Sequence, residues 1–455
     1  MELTGFGFGF EVEAYCTGYA DVFVGDGEGY LYQYWETDGK LVPVRTLATN
    51  PDIEQCVVGP RYVYFLDPVV GILAYDRNPE TDPVMIPVYL APPAGVGRFR
   101  PVGLSVAGQR LQLAGEMGES DEIPLHPGKS STVNRVRADV ETEATHRRGD
   151  AADDSVVLPE VIAGERVSGA WILGTDKQHG LRVYDLEGRQ LNVLPVGKLN
   201  NIDALPLDTG GYLVAASNRT SPSIDLFQAN PATDVLERLM PVPLDFEEPY
   251  GLCMAEIEGE PNVFVGDKTG VVERWRIDGE HRGERIGRFR FDSLTEGCVV
   301  DREDLTLYVG EEDVGIWSVD LRSGERMPFD QIDNGWLVAD VEGLDIYHGD
   351  GYRYLLASSQ GDDSFVVYEL PAGRPLLKFA VAEDRVAGID GVSETDGIAV
   401  ASQALEGFPG GVLVLQDGHN VAPADNQNFK IVDWRRIEAL LAAQGSAGTG
   451  RRDNR

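Results

Sequence analysis

The sequence predicts an all-β protein, a six-bladed β-propeller preceded by a partial, degenerate propeller of roughly three blades. Two observations support this prediction. The 53 glycines, with proline and aspartate, interrupt short runs of β-branched and aromatic residues, as in β proteins with many tight turns. From residue 170 onward, a unit of apolar strand, polar turn and second apolar strand also occurs six times.

The spacing of these copies identifies the kind of repeat. Their first strands begin 42, 50, 43, 49 and 44 residues apart, and a period of about 40–50 residues is typical of one four-stranded propeller blade. Closing the blades into a ring leaves only short, protected sheet edges. The six copies occupy residues 170–186, 212–229, 262–277, 305–321, 354–370 and 398–418.

A degenerate copy of part of this array lies upstream. The offset between matching segments stays between 240 and 244 residues, which indicates a duplication rather than chance. It covers roughly three blades. The matching segments are 22–26 with 263–267, 54–58 with 296–300, 70–73 with 314–317, and 103–104 with 343–344.

These patterns predict four parts of the chain. Residues 128–148 are polar and charged, as in a connector between domains. A short helix is predicted around 434–441, and the residues after it are mostly small and polar. The predicted parts are an incomplete, degenerate propeller-like domain at 1–127, a connector with the first strand at 128–148, the six-bladed propeller at 149–441, and a disordered tail at 442–455.

Charge and apolar content exclude two classes of partner. The chain has 75 acidic and 39 basic residues, a net charge of −36, whereas a nucleic-acid partner requires a basic face. No apolar run approaches the length of about 18 residues that a membrane-spanning helix needs. We therefore expect no nucleic acid and no membrane among the partners.

The four cysteines show no Cys-x-x-Cys spacing, so a zinc site is not expected. Cys253 and Cys298 fall near the starts of strands in consecutive repeats. A disulfide between them and a pair of buried free thiols are both compatible with the sequence.

Acidic residues recur at the start of successive repeats. Glu296, Glu342 and Asp396 each precede a glycine at the point where a short apolar strand begins. Because the innermost strands of a propeller border its central channel, we expect their leading residues to converge at one mouth, as in a site for calcium. These leading residues are Asp153 and Asp154 before the first blade, and then Asn200, Asn201, Asp203, Tyr250, Glu296, Glu342 and Asp396.

The polar turn within each repeat is expected at the same mouth or close to it. The first three turns carry Lys177, Arg219 and Lys268, and the later ones carry Glu311, Glu312, Asp313 and Gln360. One side of the mouth is then cationic and suited to phosphate oxygens, while the other is anionic. This pairing suggests a phosphate ester presented to calcium, although ordinary solvated turns are the alternative.

Other phosphatase chemistries lack their motifs. The sequence contains no Arg-His-Gly triplet, no Cys-x5-Arg cradle and no Gly-x4-Gly-Lys-Ser/Thr loop. The nucleophile that remains is water activated by a bound metal.

Many segments of the chain resemble the β-propeller phytases, which are calcium-dependent enzymes that hydrolyse myo-inositol hexakisphosphate. The resemblance covers residues 149–441. The N-terminal copy resembles the incomplete extra domain that tandem members of this family have. It is carried, in family order, by GDAADD (149–154), GKLNNID (197–203), AASNR (215–219), PYG (249–251), TEG (295–297), EED-x-x-IW (311–317), DVEGL (340–344), ASSQG (357–361), ETDGI (394–398), QDG (416–418) and NQNFKIV (426–432).

The resemblance implies roles for individual residues. Residues that match the lining of the family's catalytic calcium sites are Asp154, Tyr250, Glu296, Glu311, Glu342 and Asp396, with Asp153, Glu312 and Gln360 beside them. Residues that match its phosphate-binding groups are Lys177, Arg219 and Lys268. Further calcium sites are implied at Asn201 with Asp203 and at Asp417 with Asn426. Gln178 departs from the family, which often has a second lysine there.

The implied activity is 3-phytase-type hydrolysis of phytate, or of its calcium complex, with several calcium ions and a metal-activated water. The implied location is secreted or periplasmic. Substrate contacts would come from Lys177, Arg219, Lys268 and Gln360, and the catalytic set would be Lys177, Arg219, Tyr250, Lys268, Glu296 and Glu311.

The N-terminal copy has lost most of the corresponding residues. Where the complete array has Tyr250, Lys268, Glu311-Glu312 and Glu342, the copy has Phe8, Gly27, Asp67-Pro68 and Val102, and Glu54 alone is retained. We expect this domain to be non-catalytic and to pack on the complete domain or on another chain.

Two other functions stay open at this point. One is a different calcium-dependent propeller hydrolase, since propellers carry many chemistries. The other is a non-catalytic propeller scaffold.

Overall fold

The computed structural model describes residues 8–53, 55–67, 69–125, 133–146, 149–162, 165–332, 334–422 and 424–449, with the side chains of 161–168 and 445–449 left aside. These residues form two compact units. Unit 1 comprises Met1–Thr132, Arg385–Asp390 and Val421–Asp425. Unit 2 comprises Val133–Asp384, Gly391–Asn420 and Asn426–Arg455. The predicted boundaries at 127 and 148 stay predictions.

The described part of unit 1 contains three antiparallel sheets, the third with three strands. Their strands are β1 (Ala14–Gly18), β2 (Asp21–Gly25), β3 (Tyr30–Thr37) and β4 (Lys40–Ala48), then β5 (Cys56–Val58), β6 (Tyr62–Asp67), β7 (Gly71–Asp76) and β8 (Ile86–Leu90), then β9 (Pro101–Ala107), β10 (Arg110–Gly115) and β11 (Ser120–Pro124).

Unit 2 contains six sheets among the described residues, and its first two strands join the last two sheets. These strands are β12 (Asn134–Arg137), which is parallel to β34, and β13 (Val140–Glu141), which is antiparallel to β37. The first sheet has β14 (Ala152–Ile162), β15 (Glu165–Asp176), β16 (Gly180–Tyr184) and β17 (Gln190–Leu194). The second has β18 (Leu199–Pro206), β19 (Tyr212–Asn218), β20 (Ser223–Asn230) and β21 (Val235–Arg238), with β22 (Val242–Pro243) beside β20.

The remaining sheets repeat this arrangement. The third has β23 (Pro249–Ile257), β24 (Glu260–Asp267), β25 (Val271–Ile277) and β26 (Gly283–Arg290). The fourth has β27 (Thr295–Asp301), β28 (Thr306–Glu311), β29 (Gly315–Asp320) and β30 (Arg326–Gln331). The fifth has β31 (Val341–His348), β32 (Arg353–Ser359), β33 (Ser364–Leu370) and β34 (Arg374–Ala382), and the sixth has β35 (Ile398–Ala401), β36 (Val412–Asp417) and β37 (Asn428–Asp433). Short 3-10 turns occupy Pro231–Thr233 and Gln360–Asp362.

The first strands of the six sheets contact one another in a closed cycle. Strand β14 contacts β18, and the contacts continue through β23, β27, β31 and β35 back to β14. Hydrogen bonds between β13 and β37 join the beginning of unit 2 to its last strands. The all-β propeller fold predicted from the repeat period is confirmed.

Apolar layers between neighbouring sheets hold the ring together. One such layer packs Leu213 and Leu226 of the second sheet against Val263 and Val265 of the third. Each of these side chains alternates along its strand with residues that face the opposite neighbour, as the two-residue period of a strand requires. Burying one such side chain contributes about 1.5–3 kcal/mol, so the layers dominate the stability of the unit.

Helix α1 (Trp434–Thr449) follows the last strand. It continues beyond Leu441, where the sequence predicted a disordered tail from Ala442; alanines at 442 and 443 favour helix and explain the extension. Trp434 and Ile437 are fully buried, and the Trp434 ring stacks on Tyr347 with centroids 3.8 Å apart. Across the described residues, no helix is both long and apolar enough to span a membrane.

Two disulfides link first strands of adjacent sheets. Cys253 of β23 is bonded to Cys298 of β27, which rules out the alternative of free thiols. Cys16 of β1 is bonded to Cys56 of β5, the corresponding place in unit 1. Both units therefore carry a disulfide between the first strands of two adjacent sheets.

Glycines permit the first strands of unit 2 to approach one another closely. A Cβ added to Gly251 would clash with the carbonyl oxygen of Glu296, and one added to Gly297 would clash with that of Glu342. Gly343 donates its N–H to the carbonyl oxygen of Asp396 at 2.7 Å. A side chain at these positions would separate strands that carry the acidic residues.

We expect Gly297→Ala to lower the free energy of unfolding by about 1–3 kcal/mol, because the new methyl group meets rigid backbone of β31. Gly279→Ala is the matched control, since a Cβ there meets nothing within 4 Å. Denaturant unfolding of both variants measures the difference, and equal stabilities would contradict this account of the glycines.

Candidate functional site

Strand register places the starts of the first strands and the turns after the second strands at one mouth of the unit 2 ring. The start of each first strand lies opposite the end of the second strand in the same sheet. Examples are Thr295 opposite Glu311 and Val341 opposite Ser359.

A β-bulge interrupts the first strand at the same point in five sheets. Two residues lie between the paired positions, and bulges of this kind redirect side chains. The interrupted pairs are Asp153-Asp154, Asn200-Asn201, Tyr250-Gly251, Glu296-Gly297 and Glu342-Gly343. Asp396-Gly397 stands at the equivalent place just before β35.

The bulges correct one detail of the sequence interpretation. Asp153 and Asp154 were expected before the first blade, but both lie within its innermost strand, β14. Asp153 is the residue equivalent to Glu296. Asp154 instead accepts hydrogen bonds from the N–H groups of Ile202 and Ser155 at 3.1 and 2.8 Å, so it links β14 to β18.

Three carboxylates meet at the mouth. One oxygen each from Glu296, Glu312 and Glu342 lies within 4.8 Å of the others, and this is the only such acidic group within the part of the chain that the structure describes. All three side chains are buried. Glu312 Oε1, Glu342 Oε2 and both carboxylate oxygens of Asp153 have no hydrogen-bond partner.

Burial and repulsion from neighbouring carboxylates raise the pKa values of Glu312, Glu342 and Asp153. Burial is the larger cause for Glu312, whose pKa rises to about 8, and Glu296 adds to the increase. The pKa values of Asp153 and Glu342 also lie well above the ordinary range, for the same two reasons. Buried carboxylate oxygens without donors are the hard ligands that calcium prefers, so the residues present fit that ion.

Asp396 connects the cluster to a lysine. Its Oδ2 lies 2.6 Å from Lys177 Nζ, and its Oδ1 accepts from Gln360 Nε2 at 2.8 Å. Lys177 also contacts Asp150 at 2.6 Å. Burial raises the pKa of Asp396 to about 7, and Lys177 opposes this shift. Burial would lower the pKa of Lys177, but Asp153, Asp396 and Asp150 raise it on balance.

The cationic side is arranged around Tyr250. Lys268 Nζ lies 4.9 Å and Arg219 Cζ 5.8 Å from the centroid of its ring. Arg219 donates to Asn200 Oδ1 at 3.0 Å, and Asn200 donates to Glu296 Oε1 at 2.9 Å. Asn200 therefore joins the cations to the carboxylates. Burial and Glu296 raise the pKa of Tyr250, which keeps its hydroxyl protonated.

Sequence reasoning did not single out two charged residues here. Glu248 accepts from Arg219 and lies 3.4 Å from Lys268. Lys198 lines a cavity of about 380 Å³ together with Asp150, Lys177, Gln178 and Arg219, where it supplies a cation near the position of Gln178. Their closeness in the sequence to predicted site residues could have identified them. Lys198 precedes Asn200 by two positions, and Glu248 precedes Tyr250 by two.

Other predicted ligands have their oxygens occupied by protein groups. Glu311 accepts from the N–H groups of Asp292 and Ser293 and from Trp317 Nε1 at 2.6 Å. Asp203 accepts from the N–H groups of Ala204 and Met254, both at 2.7 Å, and burial raises its pKa to about 6. Their roles as ligands stay predictions.

The remaining predicted ligands also contact protein groups. Asn201 donates to Asp154 Oδ2 at 3.3 Å. Asp417 pairs with the fully buried Lys430 at 3.0 Å, and Asn426 donates to the carbonyl oxygen of Thr145 at 3.1 Å. The roles of Asn201, Asp417 and Asn426 as calcium ligands also stay predictions.

In unit 1, the counterparts of these residues differ. Asp67 accepts from Asn50 and from the N–H groups of Val69 and Val70, so its carboxylate stabilises a turn. Glu54 and Pro68 lie outside the described residues.

Comparisons with known proteins give a consistent result. A family model described as Phytase matches residues 117–446. A 3-phytase of Bacillus subtilis (strain 168) is 35% identical over 331 residues, covering 68% of this chain and 85% of that protein.

Two solved structures are also similar. One is a protein of unknown function from Bacteroides caccae, with 14% identity, a TM-score of 0.36, and coverage of 61% of this chain and 92% of that one. The other is the computationally designed Ika8 protein, with 10% identity, a TM-score of 0.34, and coverage of 94% and 97%. Structural similarity at this level supports no conclusion about function.

We expect the metal-free protein to lose stability as pH rises from about 5 to about 8. The folded-state pKa values of about 8 for Glu312 and about 7 for Asp396 exceed the values of about 4 in an unfolded chain. Over this range the folded state binds more protons than the unfolded state, so the free energy of unfolding falls with rising pH. Thermal unfolding in chelator across this range measures the effect, and a melting temperature that rises with pH would contradict it.

Glu342→Gln should raise the melting temperature in chelator at pH 8 and remove most of the stabilisation by added calcium, because it deletes one buried charge and one ligand. Glu237→Gln, at an exposed position on β21, is the control. The interpretation fails if both variants respond to calcium as the wild type does.

Proposed function

Since the chain belongs to the Phytase family and is a phosphomonoester hydrolase, we propose that it releases phosphate from phytate in a calcium-dependent reaction at the mouth of unit 2. The observation that carries this proposal is the buried carboxylate cluster beside three cationic side chains. Its substrate would be phytate or the calcium–phytate complex.

The carboxylates that would hold calcium are those with free oxygens. Asp153, Glu312 and Glu342 supply buried oxygens without protein donors, and Glu296 completes the group. When bound, calcium would supply positive charge that neutralises phosphate oxygens and acidifies a water molecule. The polypeptide's own contribution is to keep these oxygens close together despite their repulsion.

The cations would bind and orient the phosphate group. Arg219 presents a planar guanidinium suited to two phosphate oxygens, while Lys177 and Lys268 act as point charges. These groups would stabilise charge that develops on the non-bridging oxygens during hydrolysis. Asn200 fixes the Arg219 guanidinium relative to Glu296, and Gln360 fixes the Asp396 carboxylate.

We further propose that unit 1 does not catalyse the reaction. Its described residues include Gly27 and Val102 where unit 2 has Lys268 and Glu342, so the corresponding cation and ligand are missing. A secreted or periplasmic location is part of the same proposal, and the two disulfides support it because they persist in oxidising compartments.

Phosphate release from phytate by the full chain should occur with excess calcium and stop with chelator. Restoring calcium should restore the rate, which distinguishes loss of ligand from irreversible unfolding. Release of inorganic phosphate is the measurement, with circular dichroism as a control for folding. Activity that is unchanged in chelator would contradict calcium dependence, and a lack of activity on phytate with activity on another ester would favour a different propeller hydrolase.

Changing Glu296 and Glu342 together to Gln in the full chain should reduce phosphate release by about 100-fold or more, since both would contribute oxygens to calcium. The same double variant tests whether unit 1 contributes, because unit 1 is left intact. Substantial residual activity would assign catalysis to unit 1, and full activity would leave unit 2 as a scaffold.

A further inference from the structure

Glu248 occupies an unusual place on the cationic side of the mouth. It stands immediately before β23, in the segment that leads from the second sheet to the third. It is followed by Pro249 and Tyr250, so its backbone is fixed close to the aromatic ring under the cations.

One carboxylate oxygen serves two cations. Glu248 Oε1 accepts from Arg219 Nη2 and lies 3.4 Å from Lys268 Nζ. Both cations also lie over the Tyr250 ring. A single anionic oxygen between a guanidinium and an ammonium is the arrangement that a phosphate oxygen would require at this place.

The cations retain unused binding capacity around this oxygen. Arg219 Nε is buried and has no hydrogen-bond partner, although its Nη1 donates to Asn200 and its Nη2 donates to Glu248. The Glu248 side chain is 38% exposed and that of Lys268 is 40% exposed, so the carboxylate has room to leave toward solvent. A phosphate group brings several oxygens, and it would satisfy donors that one carboxylate leaves unpaired.

We propose that Glu248 is an internal anion that occupies the phosphate position between Arg219 and Lys268 and is displaced when substrate binds. This inference rests on the proposed function of the mouth as a phosphate site. Glu248 is a positioning residue: it keeps the two cations over Tyr250 in the free protein and competes with product phosphate. Its effect is to weaken binding of both substrate and product, which favours release.

An ordinary surface ion pair would have no such effect, and the neighbouring residue provides the comparison. Glu247 is exposed and carries the same charge one position earlier, and the structure shows no ion pair to it from Arg219 or Lys268. Glu247→Gln therefore removes a charge from the same segment without changing the contact.

The test compares Glu248→Gln with Glu247→Gln in the full chain at fixed calcium. For Glu248→Gln, we expect the KM for phytate and the inhibition constant for inorganic phosphate to fall together by about three- to tenfold, with no rise in kcat. Glu247→Gln should match the wild type in both constants. Glu248→Asp, which keeps the charge but withdraws it by one methylene, should give intermediate values.

A second measurement does not depend on turnover. The increase in melting temperature caused by inorganic phosphate should be larger for Glu248→Gln than for the wild type, because the competing anion is gone. A higher KM for Glu248→Gln would overturn the proposal and make Glu248 a simple support for the cations. Unchanged constants with an unchanged thermal shift would overturn it as well.

The two proposals fail in different ways. A wild-type protein that releases no phosphate from phytate would contradict the proposed function. The comparison of phosphate-induced thermal shifts would still decide whether Glu248 competes with an anion for Arg219 and Lys268.

Discussion

Repulsion among buried carboxylates is the constraint on which the mouth of unit 2 depends. Glu296, Glu312 and Glu342 are brought within 4.8 Å of one another while being removed from water, and burial with mutual repulsion raises the pKa values of Glu312 and Glu342. Such an arrangement opposes folding of the metal-free chain unless a cation or protons compensate. The interstrand packing of the ring must therefore hold together a group of charges that would otherwise separate.

Two features of the backbone keep these charges together: the close approach of neighbouring first strands and a disulfide between two of them. Glycines after the leading residues let β27 and β31 pack without intervening side chains, and the bulges turn the preceding carboxylates inward. The Cys253–Cys298 disulfide joins the two strands that carry Tyr250 and Glu296. Because unit 1 has the equivalent Cys16–Cys56 link without the acidic cluster, this link is a property of the fold rather than of the site.

A comparison of the two units shows that the strand arrangement does not depend on the residues of the site. Both retain sheets with the same strand order and the same disulfide position, yet only unit 2 combines carboxylates with cations at the mouth within the described residues. Apolar layers between sheets are sufficient for the fold, whereas a site needs particular side chains at particular bulges. On the cationic side, Asn200 and Glu248 hold Arg219 from two directions, so its guanidinium is oriented before any ligand arrives.

The sequence by itself determined the fold class and the types of residue at the mouth, because repeat period and composition can be read directly from the chain. It also placed Glu296, Glu342, Lys177 and Arg219 at one end of the ring, since strand order fixes which ends coincide. Only the tertiary structure decided that Asp153 rather than Asp154 is equivalent to Glu296, and that Glu312 joins the cluster while Glu311 is held by Trp317. Adjacent residues in a strand or turn point to different sides, and their partners come from distant segments, so sequence proximity cannot separate them. Sequence proximity likewise does not reveal the contact of Glu248 with two cations, because those cations belong to different sheets.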